Sequence, residues 1–315
     1  MKYRRLGNSG LKISEISLGS WLTYGNSIDK KQAVRIIDKA YESGINSFDT
    51  ANVYAQGEAE KIVGEALNRY PRESYVLATK AFWPMGDGPN DRGLSRKHII
   101  EQANQSLKRL KHDYVDIFYC HRYDSETPLE ETLRAIDDLI RQGKVLYVGV
   151  SEWTAYQIVE GLRVQDRYLL DRIVVNQPVY NMFNRYIEDS VVPTALENGI
   201  GLVVFSPLAQ GLLTGKYRRG QAVPEDSRAA DPKANTYFKD SLTEENLEKV
   251  EKLMAIAGEL GVSLSQLALA WILHQPGITS ALIGASRPEQ VEENVKAVDI
   301  ELSAEVLDRI EEIFA

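Results

Sequence analysis

The chain has 315 residues and a mass of 35.4 kDa, enough for one large α/β barrel or two ordinary domains. Hydrophobic residues at 43% and charged residues at 26% are ordinary for a soluble globular protein with a sizeable core. A net charge of −8 and a pI near 5.3 argue against nucleic acid as a partner, and the single cysteine, Cys120, excludes an internal disulfide framework.

One cysteine suits a reducing cytoplasm. No long apolar run occurs, and Met1-Lys2-Tyr3-Arg4-Arg5-Leu6 lacks the apolar core of a signal peptide. The expectation is a soluble cytoplasmic protein with no membrane insertion, folded as a single domain over 1–315. The sequence leaves a homo-oligomer open.

In chain order, residues 3–7 and 12–16 flank the turn signal Asn8-Ser9-Gly10 and predict an opening β-hairpin. Apolar strands follow near 17–20, 45–49, 76–80, 115–120, 145–150, 173–177, 200–205 and 280–283. Helical stretches alternate with them at about 31–43, 57–69, 95–110, 128–142, 155–164, 188–198, 243–274 and 287–297, with a last one near 303–314. Gly44, Gly143, Gly199 and Gly261 fit helix C-terminal positions. Strands such as Val145-Leu146-Tyr147-Val148-Gly149-Val150 are nearly continuous apolar runs, as parallel strands buried on both faces require. Strand–helix alternation without a composition break predicts a closed TIM (β/α)₈ barrel. The alternative, a doubly wound open sheet, normally shows a G-x-G-x-x-G fingerprint, and this chain has none. Residues 207–242 form a connection far longer than usual, which marks a functional or disordered loop.

Polar residues gather at three successive strand ends. Asp49 closes one strand with Tyr54 on the loop leaving it, Lys80 closes the next, and His121 the third. In a barrel these ends form the mouth, where active sites lie. Neighbouring strands are ~4.8 Å apart, so Asp49 and Lys80 can touch. An ammonium beside a phenol is expected to lower the Tyr54 pKa from its reference of ~10. A tyrosine so tuned can donate a proton to a carbonyl oxygen as hydride reaches the carbon. His121 would orient that carbonyl. The bland alternative is a structural Asp49–Lys80 ion pair.

Phe48-Asp49-Thr50-Ala51 with Tyr54, Thr79-Lys80, Phe205-Ser206-Pro207-Leu208 and Ile283-Gly284-Ala285-Ser286-Arg287-Pro288-Glu289-Gln290 carry a resemblance to the aldo-keto reductases. It extends from the hairpin to the final helix. The run from Arg92 to Ile100 (Arg-Gly-Leu-Ser-Arg-Lys-His-Ile-Ile) and Gly215-Lys216-Tyr217 make the chain most similar to the voltage-gated potassium-channel β-subunit branch and its bacterial and plant relatives. The resemblance implies Tyr54 as proton donor, completed by Asp49, Lys80 and His121, and NADPH as cofactor across the barrel mouth. It implies carboxamide contacts at Ser151, Asn176 and Gln177, and a stacking ring at Phe205. Ser206, Pro207, Leu208, Gly211 and Lys216 would cover the pyrophosphate, with Arg228 in the same loop. Ser286, Arg287 and Gln290 would hold the 2′-phosphate and adenosine, with Glu293 and Asn294 at the adenine edge. Ser20, Trp21, Asp49 and Gly284 complete the implied cofactor set.

Two positions depart from the channel-subunit pattern: His121 stands where those subunits usually have Asn, and Glu152 where they have Arg. The leading expectation is an NADPH-dependent oxidoreductase acting on small-molecule carbonyl substrates. The alternative is a slow-turnover, redox-sensing accessory subunit. It is disfavoured by His121, and by a hairpin at the very start of the chain, expected to leave no N-terminal extension. Trp21, Tyr24, Trp83 and Trp153 follow strand ends and are expected, with Tyr54 and His121, to line the substrate pocket. No metal is expected, since His98, His112 and His274 lack a second ligand at metal spacing and read as surface or packing residues. Cys120 should point away from His121 as a buried, inert thiol.

Overall fold

Strand periodicity and helix caps build a barrel in the computed structural model, which describes residues 1–224, 227, 229–230 and 241–315. β1 (Tyr3–Arg5) and β2 (Lys12–Ser14) pair antiparallel, as the turn signal predicts. Eight parallel strands follow: β3 (Ile16–Gly19), β4 (Ser47–Asp49), β5 (Val76–Ala81), β6 (Val115–Cys120), β7 (Val145–Ser151), β8 (Ile173–Gln177), β9 (Gly201–Phe205) and β10 (Ile278–Ile283). They close in the order β10-β3-β4-β5-β6-β7-β8-β9. β10 pairs with both β3 and β9, and that closure excludes the open doubly wound sheet.

Alternation along each strand splits the core in two. Val76 and Ala78, Ile117 and Tyr119, Val175, Val203 and Leu282 cluster with one another and with Leu6 and Ile13 from the hairpin. The intervening residues, among them Leu77, Phe118, Cys120, Val204 and Ile283, pack in the larger cluster with the helices. The smaller set is therefore the barrel interior, with the hairpin as its floor. Glycine is required at Gly149: a Cβ there would meet Tyr119 Cδ1 at 2.6 Å and Val175 Cγ1 at 2.8 Å.

The helices are α1 (Lys30–Glu42), α2 (Glu58–Leu67), α3 (Arg96–Leu110), α4 (Leu129–Arg141), α5 (Ala155–Tyr168), α6 (Val191–Asn198), α7 (Glu244–Glu259), α8 (Leu264–His274), α9 (Pro288–Asn294) and α10 (Ala304–Phe314). Their starts carry the expected chemistry. Asp29 accepts from Gln32 N–H at 2.8 Å, and Thr154 with Gln157 forms a capping box. The stretch expected as one helix over 243–274 is two, bent by 90°. Gly261 turns the chain at φ +69°, and Ser263 with Gln266 caps the second helix in a capping box. Among the described residues, no single helix is long and apolar enough to cross a membrane.

Candidate active site

The same alternation aims the polar residues at the mouth. Along β5, Val76 and Ala78 face inward, so Lys80 does too; along β6, Ile117 and Tyr119 put His121 above them. Backbone bonds continue the barrel past its strands: Asn52 N–H donates to the Lys80 carbonyl at 3.2 Å, and His121 N–H to that of Ala81 at 3.1 Å. Tyr54 sits on the turn between. After it the backbone runs left-handed through Ala55 (φ +48°), Gln56 (φ +53°) and Gly57 (φ +89°) before α2 begins. Two non-glycine residues in that region mark strain beside Tyr54.

These four side chains converge. Lys80 is 0% exposed; its Nζ donates to Asp49 Oδ1 and to the Thr50 carbonyl at 3.0 Å, and lies 3.5 Å from the Tyr54 hydroxyl. Asp49 Oδ2 accepts from Gln177 Nε2 at 2.9 Å, which ties β8 to β4 across the barrel. The Tyr54 and His121 rings meet edge to face, centroids 5.7 Å apart.

Electrostatics overturn one expectation. Tyr54 is not pushed down by its lysine: burial raises its pKa well above the ordinary phenol value, Asp49 adds to the rise, and Arg122 opposes it. Asp49 sits against Lys80 and cancels much of the charge that was expected to stabilise a phenolate. Lys80 is itself lowered by burial, against the pull of Asp49. His121 is pushed well below its ordinary value by burial, then by Lys80 and Arg122, so its imidazole is neutral at pH 7. The site holds a protonated phenol beside a neutral imidazole. Arg122 escaped the sequence reading, although the signal was a second basic residue directly after a strand-end histidine.

A sequence model of the aldo/keto reductase family matches residues 15–315. The chain belongs to the aldo/keto reductase family. With that family it belongs to the oxidoreductases. Three relatives align with 99% of the chain. A probable voltage-gated potassium channel subunit beta of Arabidopsis thaliana is 48% identical, with 96% of its own length covered. One of the same description from Oryza sativa subsp. japonica is 46% identical, also with 96% covered. A putative voltage-gated potassium channel subunit beta of Schizosaccharomyces pombe is 43% identical, with 92% covered.

The described sequence-predicted cofactor residues lie at or just after the ends of β3, β4, β7, β8 and β9, and in the segment from β10 into α9. Ser151 Oγ donates to the Gln177 carbonyl at 2.9 Å. Asn176 is fully buried; its Nδ2 donates to the Trp153 carbonyl at 3.2 Å, and its Oδ1 has no partner. Phe205 ends β9 and meets Trp21 edge to face at 6.4 Å, while Ser20 Oγ donates to Thr50 Oγ1 at 2.9 Å. Ser206 (φ +54°), Pro207 and Leu208 lead into a 3₁₀ turn over Ala209–Thr214 that contains Gly211 (φ +105°). Lys216 packs over that turn, its Cε 3.3 Å from where a Gly211 Cβ would lie. Arg228 lies outside the described residues. After β10, exposed Gly284 leads to Ser286, whose N–H and Oγ both donate to Gln290 Oε1, at 2.8 and 3.2 Å. Arg287 is exposed at the start of α9; Glu293 is exposed and Asn294 buried on the same helix.

The expected pocket residues divide. Trp83, 38% exposed, lies 6.3 Å from the His121 ring, and Trp21 is half-buried. Tyr24 and Trp153 are buried in the core and offer a substrate no surface. That corrects both placements: each side chain is 1% exposed and packs into the core with the helices. Cys120 packs among the helices, away from His121, and burial pushes its thiol up to about 12. Glu152 Oε1 accepts from Val179 N–H at 2.5 Å and from the Tyr186 hydroxyl at 3.2 Å. Among the described residues no group of three or more His, Cys, Asp or Glu is placed to hold a metal.

Proposed function

We propose that this reductase converts aldehydes and ketones to alcohols with NADPH as hydride donor and Tyr54 as proton donor, within one domain over 1–315. The observation that carries it is the convergence of the four side chains: Lys80 Nζ pairs with Asp49 and lies 3.5 Å from the Tyr54 hydroxyl, and the Tyr54 and His121 rings meet edge to face. A general acid must carry its proton at the working pH, which this phenol does; its raised pKa makes it a weaker donor, so the Lys80 ammonium 3.5 Å away has to offset the cost of the phenolate.

A nicotinamide cofactor fits the residues present. The buried, unpartnered Asn176 Oδ1 needs a donor, which a carboxamide N–H₂ carries. Ser151 and Gln177 would flank that group, and the Phe205 ring would stack beneath it. At the other end, Gln290 Oε1 occupies both Ser286 donors, a position an anionic oxygen could take. Arg287 would face the 2′-phosphate, with Lys216 and Ser206 near the pyrophosphate and Asn294 near the adenine. Bound NADPH would supply the hydride. The chain's own part is to hold and move one proton. His121 holds the carbonyl oxygen toward Tyr54 with a ring N–H. Tyr54 Oη releases its proton to that oxygen. The phenolate left behind lies 3.5 Å from Lys80 Nζ, which stabilises it until solvent restores the proton. Asp49, braced by Gln177, keeps Lys80 in place.

The similarity to three potassium channel β-subunits favours a second reading, an accessory subunit; in that reading we propose that the chain would bind NADPH and turn over slowly as a redox sensor. A panel of aldehydes and ketones, followed by steady-state NADPH consumption, separates the two. Sustained turnover of at least one carbonyl supports the reductase. Tight cofactor binding with a single turnover supports the sensor.

A further inference from the structure

Arg122 closes β6 beside His121 and has no part in the proton transfer above. Its Nη1 donates to the His121 carbonyl oxygen at 2.6 Å, and its Cζ stands 5.5 Å from the Trp83 ring centroid. A guanidinium has five N–H donors, so several remain free. No carboxylate among the described residues lies within 4.0 Å of it. Three acids of the same strand ends and loops are already engaged. Asp49 is held by Lys80 and Gln177, and Glu152 by Val179 N–H and the Tyr186 hydroxyl. Asp124 accepts from Leu94 N–H at 2.7 Å, the Thr127 hydroxyl at 2.8 Å and Glu126 N–H at 3.0 Å.

An uncompensated cation here faces the reaction centre. Trp83 lies 6.3 Å from the His121 ring and His121 lies 5.7 Å from the Tyr54 ring, so successive ring contacts connect the guanidinium to the phenol. Its charge is felt at both Tyr54 and His121. The Trp83 ring and the His121 carbonyl anchor the guanidinium, whose planar fork is suited to pairing with two anionic oxygens. The protein's net charge of −8 repels anions at long range, so an anionic substrate gains only from a local cation.

We propose that Arg122 is a specificity-determining residue that binds an anionic group, a carboxylate or a phosphate, at the end of the substrate remote from its carbonyl. This rests on the carbonyl-reductase reading and names the class of substrate that the site selects.

The test pairs each n-alkanal with the ω-oxocarboxylate and the aldehyde phosphate of matching length, in wild type and in Arg122→Gln and Arg122→Lys. The wild type is expected to show a lower KM for at least one anionic series than for the alkanals. Arg122→Gln should shrink that KM ratio by about 10-fold or more, the usual worth of a charge-assisted hydrogen bond. Arg122→Lys should restore part of it. The ratio is the readout because loss of the charge near Tyr54 also changes kcat for every substrate. Which anionic series responds identifies the group bound. Calorimetric titration of the same compounds in the presence of NADP+ gives a second measure that needs no turnover. A ratio equal in wild type and Arg122→Gln overturns the inference, as does the lack of any anionic preference in both KM and Kd. If no carbonyl of either kind is reduced while the anionic compounds still bind through Arg122, the reductase reading fails and the anion site stands.

Discussion

Two charges lie close to the Tyr54 hydroxyl, the Lys80 ammonium and the Asp49 carboxylate, and their effects on a phenolate are opposite. The cost of burying a phenolate decides the sign, Asp49 adds to it, and Arg122 opposes it. Tyr54→Phe keeps the ring and removes the proton. It should lower kcat for carbonyl reduction by ~10²-fold or more, with cofactor Kd little changed. Since burial raises the Tyr54 pKa above its ordinary ~10, reduction should not decline between about pH 7 and 9 through loss of this proton. Turnover that survives in Tyr54→Phe would remove the residue from the chemistry. At the cofactor's far end, Arg287 is exposed and free to meet a phosphate. Arg287→Ala should raise Kd for NADPH by about 10-fold and barely move that for NADH, measured by fluorescence quenching. Equal losses for both cofactors would mean that the arginine does not read the phosphate.

At the scale of elements, the hairpin earns its place by filling the barrel floor. Leu6 and Ile13 are fully buried against Val76, Ile117 and Val203, so a short pair of strands with little pairing of its own is held by the core it completes. Leu6→Ala should destabilise the protein by about 2–5 kcal/mol, seen as a lower urea midpoint at unchanged slope. A value under about 1 kcal/mol would show that the floor collapses around the gap. Another element-level device links α2 and α3 to β5. Glu60 is fully buried and accepts from Thr79 Oγ1 at 2.6 Å and Arg109 Nε at 2.5 Å, next to Lys80 in the chain. Its carboxylate looks like a surface residue in a Glu-rich helix start, and nothing local marks it as buried. The break within 243–274 was different. Ser263 and Gln266 have capping-box spacing and follow Gly261, so that boundary was legible in the residues.

For the molecule as a whole, buried histidines set the response to acid. His121, His98 and His112 are all lowered, in each case first by burial. In the unfolded chain they titrate near ~6.5, so below that pH the unfolded state binds more protons and stability falls. Stability is fully present above ~6.5 and is lost as pH drops toward the folded values. His121 alone contributes a slope approaching ~1.4 kcal/mol per pH unit where only its unfolded form is protonated. Asp116 acts in the opposite sense, since burial raises its pKa and protonation favours the fold. Urea melts at about pH 7.5 and 5.5 should show the lower midpoint at the acid end. A midpoint that rises on acidification would mean that the carboxyl groups outweigh the imidazoles.

The barrel, and the meeting of Asp49, Tyr54, Lys80 and His121 at one end of it, were legible in the residues alone. Both follow from local rules: apolar strands alternate with capped helices, parallel crossovers place successive strands side by side, and a period of two aims Lys80 and His121 inward. Tertiary structure alone decided what those residues are electrically. The direction of the Tyr54 shift, the neutrality of His121, the lack of a carboxylate partner for Arg122, and the burial of Tyr24 and Trp153 depend on which distant groups close over each side chain. Desolvation is a property of the surroundings in three dimensions, and spacing along the chain carries no measure of it.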